Sequence, residues 1–244
     1  MKKVLITSGG TSEKVDQVRS ITNRSSGFLG KLIAQKFLAN GHFVTYVTTP
    51  KSARPKDERN LEIIELDSVS ALLETMKTLL VDGEYDYVIH SMAVSDYTAY
   101  ASMSAEEVAA AVVGLSEAEI VSVLENVSTP NLESKISSES SHLLTFMKRT
   151  PKVISYIKEF APDVKLVGFK LMVDASFEDL RDASAKSFAA NGCDLLVAND
   201  LREVGHENHH AYLFDADLEF TEAYTKHEIS DGIYDALLGD EIED

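Results

Sequence analysis

The sequence contains one cysteine, Cys193, among its 244 residues. A single thiol excludes an intrachain disulfide framework and a zinc site built from several cysteines. Apolar runs are short, and none approaches the roughly 20 residues that a membrane-spanning helix needs. The N-terminal apolar stretch stops at Gly9-Gly10 with no small-residue cleavage site, so we expect a first β-strand, no signal peptide and a cytoplasmic protein.

Basic residues are also scarce, with 23 Lys and Arg against 40 Asp and Glu, giving a net charge of −17. Nucleic acids and anionic membranes are bound largely through basic surfaces, so we expect neither as a partner. An anionic ligand would have to be held by local donors and a few cations. The length suits one α/β domain over residues 1–244, with ample material for a core.

Short β-branched runs alternate with segments of helical periodicity along most of the chain. Residues 3–7 predict a strand, and residues 28–38 predict a helix that Ser25 or Ser26 can cap. The other predicted strands are residues 42–48, 61–66, 85–90, 143–147, 164–172, 193–198, 210–214 and 218–220, and the other helices are residues 68–81, 151–160, 177–190 and 226–238. This order predicts a doubly wound, mostly parallel sheet with helices on both faces.

Residues 97–134 break the alternation and contain two short helical stretches, 105–113 and 116–124. We interpret them as an insertion that serves as a lid, a dimer arm or a small subdomain. Doubly wound sheets bind ligands beyond the carboxyl ends of their strands. Five segments are predicted to converge there, namely residues 9–11, 23–27, 92–96, 168–170 and 198–200.

Gly9-Gly10-Thr11 follows a strand, and its backbone N–H groups can cradle a phosphate together with the helix that begins near Ser25. The alternative is a glycine pair that only shapes the strand exit. Neither a G-x-G-x-x-G nor a G-x-x-x-x-G-K-[ST] motif occurs, which counts against ordinary NAD dehydrogenases and P-loop ATPases.

Four polar residues are further candidates. Arg19 can neutralise a carboxylate or phosphate, and Asn23 can donate to a developing oxyanion. Asp96 can hold a ribose hydroxyl, a base amine or Mg²⁺, and Lys135 can reach over a bound phosphate. The alternatives without a functional role are a surface ion pair for Arg19 and a hydrogen bond to its own backbone for Asn23. For Asp96 the alternative is a turn cap, and for Lys135 it is a solvated side chain.

The histidines and the cysteine are discounted. His90 ends an apolar strand and is interpreted as a packed side chain. The three histidines at residues 206–210, with Glu207, fit no strict metal-ligand spacing, and we interpret this stretch as a solvated turn. Cys193 opens a buried strand and is expected to be inert.

The motifs occur together in a fixed order that resembles one family. They are Ser8-Gly9-Gly10-Thr11, the stretch from Val18 to Gly27, Met92-Ala93-Val94-Ser95-Asp96-Tyr97, Lys135-Ile136, Thr150-Pro151, Val167-Gly168-Phe169 and Val197-Ala198-Asn199-Asp200. The chain resembles the phosphopantothenate–cysteine ligases, over nearly its whole length. Because no flavin-dependent decarboxylase half precedes the motifs, it is similar to the stand-alone form of some Gram-positive bacteria.

The resemblance implies a Rossmann-like fold, a homodimer and an amide-forming reaction. (R)-4′-Phosphopantothenate is condensed with L-cysteine at the expense of CTP, or of ATP in some relatives, with the help of Mg²⁺. The pantothenate carboxylate first attacks the α-phosphate and releases pyrophosphate. The cysteine amine then attacks the acyl-nucleotide and releases the nucleoside monophosphate. The metal ligands are not indicated.

The resemblance also implies residue roles. Asn23 contacts the substrate carboxylate, Arg19 lies nearby, Lys135 belongs to a flexible lid, and Ala93 lies near the substrate. The implied nucleotide-binding residues are Gly9, Gly10, Thr11, Ser25, Ser26, Gly27, Asp96, Phe169 and Lys186.

Two departures from the family pattern stand out. Lys135-Ile136 is followed by two serines where the family has two lysines, so Lys148 or Arg149 is a candidate replacement. Ser187 and Asn191 stand near the positions of two further family lysines, and Lys186 is one residue away.

Two alternatives stay open. A short-chain NAD(P)-dependent oxidoreductase would carry a Tyr-x-x-x-Lys pair, and none of the nine tyrosines has a lysine four residues on. A non-catalytic nucleotide sensor would keep the binding loops without turnover.

Overall fold

The computed structural model describes residues 1–56, 59–127, 141–205 and 208–239. The strands are β1 (Lys3–Ser8), β2 (Ser12–Lys14), β3 (Ser20–Thr22), β4 (Phe43–Thr48), β5 (Leu61–Glu65), β6 (Tyr87–His90), β7 (Tyr97–Ser104), β8 (Leu143–Arg149), β9 (Lys165–Met172), β10 (Leu195–Asp200), β11 (Asn208–Asp215) and β12 (Phe220–Thr225). The helices are α1 (Phe28–Ala39), α2 (Val69–Asp82), α3 (Ala105–Val112), α4 (Glu117–Glu125), α5 (Val153–Phe160), α6 (Phe177–Asn191) and α7 (Lys226–Leu238).

Eight strands form one sheet in the order β12-β11-β10-β9-β6-β1-β4-β5. The six strands from β10 to β5 are parallel, and β11 and β12 close one edge in antiparallel fashion. Thr7 of β1 pairs with Val47 of β4 on one side and His90 of β6 on the other. The chain order reverses at β1, which is where doubly wound sheets bind their ligands. The predicted Rossmann-like, doubly wound fold is confirmed.

Successive side chains of each strand point to opposite faces of the sheet, and a hydrophobic core lies on each face. Ile6 points to the side covered by α1 and α7, where Ile33 and Phe37 are fully buried. Leu5 points to the other side, where it packs with Leu72 of α2 and Ile157 of α5. Each such side chain contributes roughly 1.5–3 kcal/mol of burial free energy. Within the described ranges, no helix is long and apolar enough to cross a bilayer.

Residues 97–149 leave the sheet as an arm, which consists of β7, α3, α4 and β8 where it is described. The two helices occur close to their predicted places. The assignment of residues 143–147 to the main α/β alternation was wrong, because β8 pairs with β7 in a separate two-stranded sheet. Small and polar side chains in β7 hide its strand character in the sequence.

Two local features before α1 differ from the sequence analysis, which gave no strand there and a serine cap. The loop that holds Arg19 contains a short hairpin, because β2 and β3 pair antiparallel. The cap of α1 is Gly27, at φ +71°, rather than a serine. Ser25 and Ser26 instead accept the N–H groups of Gly27 and Phe28, at 3.4 and 3.3 Å. The serines therefore shape the turn that leads into the helix.

Candidate functional site

A cavity of about 320 Å³ opens beside β1 at the carboxyl edge of the sheet. Four of the five predicted segments line it, represented by the turn at residues 24–27 and by Ala93, Phe169 and Asn199. The start of α1 forms one wall. The predicted convergence of these four segments is therefore confirmed.

The fifth segment, residues 9–11, lies beside the cavity and joins its loops together. The Ala93 N–H donates to the Gly9 carbonyl at 2.8 Å, and the Thr11 N–H donates to the Ala93 carbonyl at 3.1 Å. Gly9 has φ +94°, which favours glycine, and a Cβ on Gly10 would lie 2.1 Å from the Asn23 carbonyl oxygen. The glycines thus allow close packing of three backbone segments, and their contact with a nucleotide stays a prediction.

The Asn23 side chain is held on both ends by the loop after β6. Its Nδ2 donates to the Val94 carbonyl at 3.0 Å, and the Ser95 hydroxyl donates to its Oδ1 at 3.4 Å. Thr11 is fully buried, and its hydroxyl oxygen accepts the Ser95 N–H at 2.8 Å. Asn23 is half-buried and does not itself line the cavity, so these bonds fix its amide beside the lining residue Arg24, and its contact with a substrate stays a prediction.

Arg19 and Lys186 do not line this cavity. Arg19 sits at the turn of the β2–β3 hairpin, where its Nη1 lies 3.5 Å from Asp16 Oδ2. Lys186 lines a separate open groove with Lys170 and Asp182. Lys135 lies outside the described residues. The functional roles of these three residues stay predictions.

A second cavity of about 180 Å³ adjoins the first and shares Phe169 and Met92 with it. Asp96 lines the second cavity, and its carbonyl accepts the Thr150 N–H at 3.0 Å. The Thr150 hydroxyl donates to the Ser95 carbonyl at 2.5 Å. Asp96 and Phe169, both predicted to bind the nucleotide, therefore face one space.

The larger cavity is locally favourable for anions despite the acidic chain. Arg24 and Lys226 line it, and no carboxylate appears among its described lining residues. The N-terminus of α1 adds the positive end of its dipole, which favours phosphate groups.

The interpretations of His90 and Cys193 are confirmed. His90 is buried, its Nδ1 lies 2.8 Å from the Thr7 hydroxyl, and burial lowers its pKa to about 4. Burial, with a smaller contribution from the Asp194 charge, raises the pKa of Cys193 to about 11, so the thiol is protonated and unreactive at neutral pH.

Two ionisable residues of the larger cavity were missed by the sequence analysis. His209 and Lys226 both line the larger cavity. The interpretation of a solvated turn was wrong for His209, which belongs to β11 and is buried. The pattern His209, Ala211, Leu213 has the spacing of an inward strand face and could have revealed it. No cluster of three metal-ligating side chains occurs in the described part of the chain.

Residues 1–109 match the family described as the DNA/pantothenate metabolism flavoprotein C-terminal domain. The crystal structure of the DNA/pantothenate metabolism flavoprotein from Streptococcus pneumoniae is 38% identical with a TM-score of 0.87, over 98% of this chain and 99% of that one. The coenzyme A biosynthesis bifunctional protein CoaBC of Thermococcus kodakarensis is 32% identical over 97% of this chain.

The chain spans 51% of that curated relative, about half its length. The C-terminal domain of a CoaBC protein shares the fold, at 22% identity and a TM-score of 0.69 over 100% of this chain and 97% of that one. The motifs, the fold and these relatives agree, and the chain therefore belongs to the family of DNA/pantothenate metabolism flavoprotein C-terminal domains.

Proposed function

We propose that the protein is a phosphopantothenate–cysteine ligase of coenzyme A biosynthesis that consumes CTP. The observation that carries this proposal is the anion-favouring cavity at the chain reversal, with the amide of Asn23 fixed beside it. The relative from Thermococcus kodakarensis, named for coenzyme A biosynthesis, supports the same pathway.

The reaction joins two anions, so the site must offset their repulsion before any bond forms. In the first step the pantothenate carboxylate oxygen bonds to the α-phosphorus, and the bond from phosphorus to pyrophosphate breaks. In the second step the cysteine amine attacks the acyl carbon, loses a proton and displaces CMP. Backbone donors at the start of α1, with Arg24 and Lys226, would hold phosphate groups while Asn23 orients the carboxylate.

The two adjoining cavities suggest how the ligands are arranged. We assign the phosphates to the larger cavity and the base to the smaller one, where Asp96 offers a carboxylate and Phe169 an aromatic face. A nucleotide in this arrangement would pass along Ala93, which lines the larger cavity close to the bridge with Gly10.

Mg²⁺ belongs to this proposal as the partner of the nucleotide phosphates. Asn199 and the hydroxyls of Ser8 and Ser91 are oxygen donors in the larger cavity, which has no carboxylate among its described lining residues. This donor set fits a magnesium ion that is held mainly by phosphates and water, as is usual for this metal. When bound, the ion would neutralise phosphate charge.

Pyrophosphate release tests the proposed reaction directly. With phosphopantothenate, Mg²⁺ and CTP, we expect release to need phosphopantothenate and to begin without cysteine, because the acyl-nucleotide forms first. Adding cysteine should convert a single turnover into steady release. ATP in place of CTP measures the nucleotide preference.

The outcomes separate the candidate functions. Nucleotide binding without pyrophosphate release under any of these conditions would indicate a nucleotide sensor and contradict the ligase. Release that strictly requires cysteine would contradict the order of steps, while leaving the overall reaction intact.

We also propose that the protein is a homodimer joined through the arm, which then contributes to the pantothenate site of the partner. No residue of α3 or α4 is buried within the chain. Leu144 and Met147 of β8 are exposed by 38% and 36%, so the arm presents apolar surface that a second copy can cover.

Charged substitutions on the arm test the dimer. Leu144→Glu with Met147→Glu should halve the mass measured by light scattering, because burying the two carboxylates in an apolar interface is costly. Val81→Glu is the matched control, since Val81 is exposed on α2, outside the arm. An unchanged mass in the double variant would contradict an interface at these residues, and a monomeric parent protein would contradict the dimer.

A further inference from the structure

His209 occupies an inward position on β11 where a purely structural role would favour an apolar residue. It alternates with Ala211 and Leu213, which are buried in the core beneath α1 and α7. Only 8% of the residue's surface is exposed, and it lines the larger cavity. The inward face of β11 therefore continues from the core to the wall of the larger cavity, where its side chain is the imidazole of His209.

Both ring nitrogens of His209 are buried without a hydrogen-bond partner among the described residues. A buried polar group in this state costs free energy, so such groups are rare unless something outside the chain satisfies them. By contrast, the neighbouring His210, on the opposite face of the strand, bonds Glu203 and Glu222 at 2.9 and 3.1 Å. His209 lines the larger cavity, so a ligand bound there can supply the missing partner.

The surroundings of His209 indicate the chemistry of that partner. Burial, and to a smaller extent the Lys226 charge, lowers the pKa of His209 to about 4, so the ring is neutral at pH 7 and carries one N–H donor. Lys226 begins α7, donates from its Nζ to the Gly205 carbonyl at 2.8 Å and lines the same cavity, where Arg24 is the other cation. A ligand group facing both an N–H donor and an ammonium is best matched by an oxyanion.

We propose that His209 is a ligand-binding residue of the larger cavity, where its ring N–H donates to a phosphate oxygen of a bound ligand beside Lys226. The phosphate can come from two sources, the nucleotide or phosphopantothenate, and this pair of ligands rests on the proposed function. The subsite itself is inferred only from the larger cavity, its two cations Arg24 and Lys226, and the ring nitrogens of His209 that have no partner among the described residues.

Binding measurements on His209→Leu and His209→Gln test the proposal. The probes are CTP, phosphopantothenate and inorganic pyrophosphate, each titrated separately by calorimetry. His209→Leu should weaken the ligand that supplies the phosphate by roughly tenfold or more, the usual cost of a hydrogen bond to a charged group. His209→Gln keeps an N–H donor and should recover part of that loss.

The two ligand sources give different results. A loss confined to CTP and pyrophosphate would assign the subsite to the nucleotide, and a loss confined to phosphopantothenate would assign it to the acid substrate. In either case KM for that ligand should rise, while kcat at saturation stays within about threefold because the bond is made in the ground state as well.

Unfolding of the ligand-free protein separates binding from packing. His209→Leu should be at least as stable as the parent, since it removes an unsatisfied buried group. His210→Leu is the matched control, which loses the two contacts with Glu203 and Glu222 and should be destabilised with unchanged ligand affinity. Unchanged affinity of His209→Leu for all three probes would overturn the proposal.

If His209→Leu fails to fold, NMR of the parent protein still provides a decisive measurement. Ring nitrogen NMR signals of His209 in the parent protein should shift when the bound probe is added, and an unmoved ring would overturn the proposal. If the His209 signals shift with pyrophosphate but the protein shows no ligase turnover, the subsite is supported and the proposed function is contradicted.

Discussion

Asn23→Ala is expected to lower turnover by about 10²–10³-fold while the affinity for nucleotide stays within about threefold. The amide is held by Val94 and Ser95 before any ligand arrives, so the protein needs no reorganisation to present it. Alanine removes this fixed donor from the reacting carboxylate. Steady-state pyrophosphate release and calorimetric nucleotide binding measure the two quantities.

Asn40→Ala provides the matched control. Asn40 is exposed at the end of α1, where its Nδ2 donates to the Lys36 carbonyl at 2.8 Å. This variant also loses a side-chain hydrogen bond, but away from the cavity, and its turnover should match that of the parent. Equal turnover of Asn23→Ala and the parent would remove Asn23 from the reaction. Lost nucleotide binding would instead make it a structural residue of the loop.

Gly10→Ala is expected to abolish turnover and to destabilise the fold by about 1–3 kcal/mol, the usual cost of an overpacked site. The new methyl group would lie 2.1 Å from the Asn23 carbonyl oxygen and 3.0 Å from its carbonyl carbon. Because these are backbone atoms, the loop at residues 23–27 must move away from β1. Denaturant unfolding and pyrophosphate release measure the two effects.

Gly239→Ala is the control for adding a methyl group at a glycine. Gly239 follows α7 at φ −54°, and no atom lies within 4 Å of the added carbon, so neither space nor backbone geometry opposes alanine. Its stability and turnover should stay unchanged. A fully active Gly10→Ala protein would show that the contact between residues 10 and 23 is not needed for the site.

The fold was largely predictable because its parallel strands are buried on both faces and its helices carry a clear apolar stripe. Residues 4–7 and 87–89 are continuous apolar or β-branched runs, which is typical of short strands that are covered on both faces. The hairpins were not predictable in the same way. β2 and β3 have three residues each, too few to establish a period, and β7 carries small polar residues that pair only with β8.

The site was predictable where its residues lie within one short segment of sequence. The turn at residues 24–27 and the loop around Ala93 follow directly from motifs, and both line the cavity. His209 and Lys226 were missed because they reach the cavity from β11 and α7, which are distant from the motifs in the sequence. The alternation at residues 209–213 indicates an inward face, but it does not indicate that β11 pairs with β10. The pairing of Arg19 with Asp16 was similarly hidden, since it depends on the turn between β2 and β3.

The two stems of the arm are tied together at the cavity, which has a consequence for assembly. Thr150, just after β8, bonds the backbone of Asp96 and Ser95, just before β7. Ser95 in turn bonds Asn23. A force on the arm from a second copy would thus be transmitted through two hydrogen bonds to the Asn23 amide, the proposed contact of the substrate carboxylate. In the proposed dimer, subunit association would therefore be coupled to the position of Asn23.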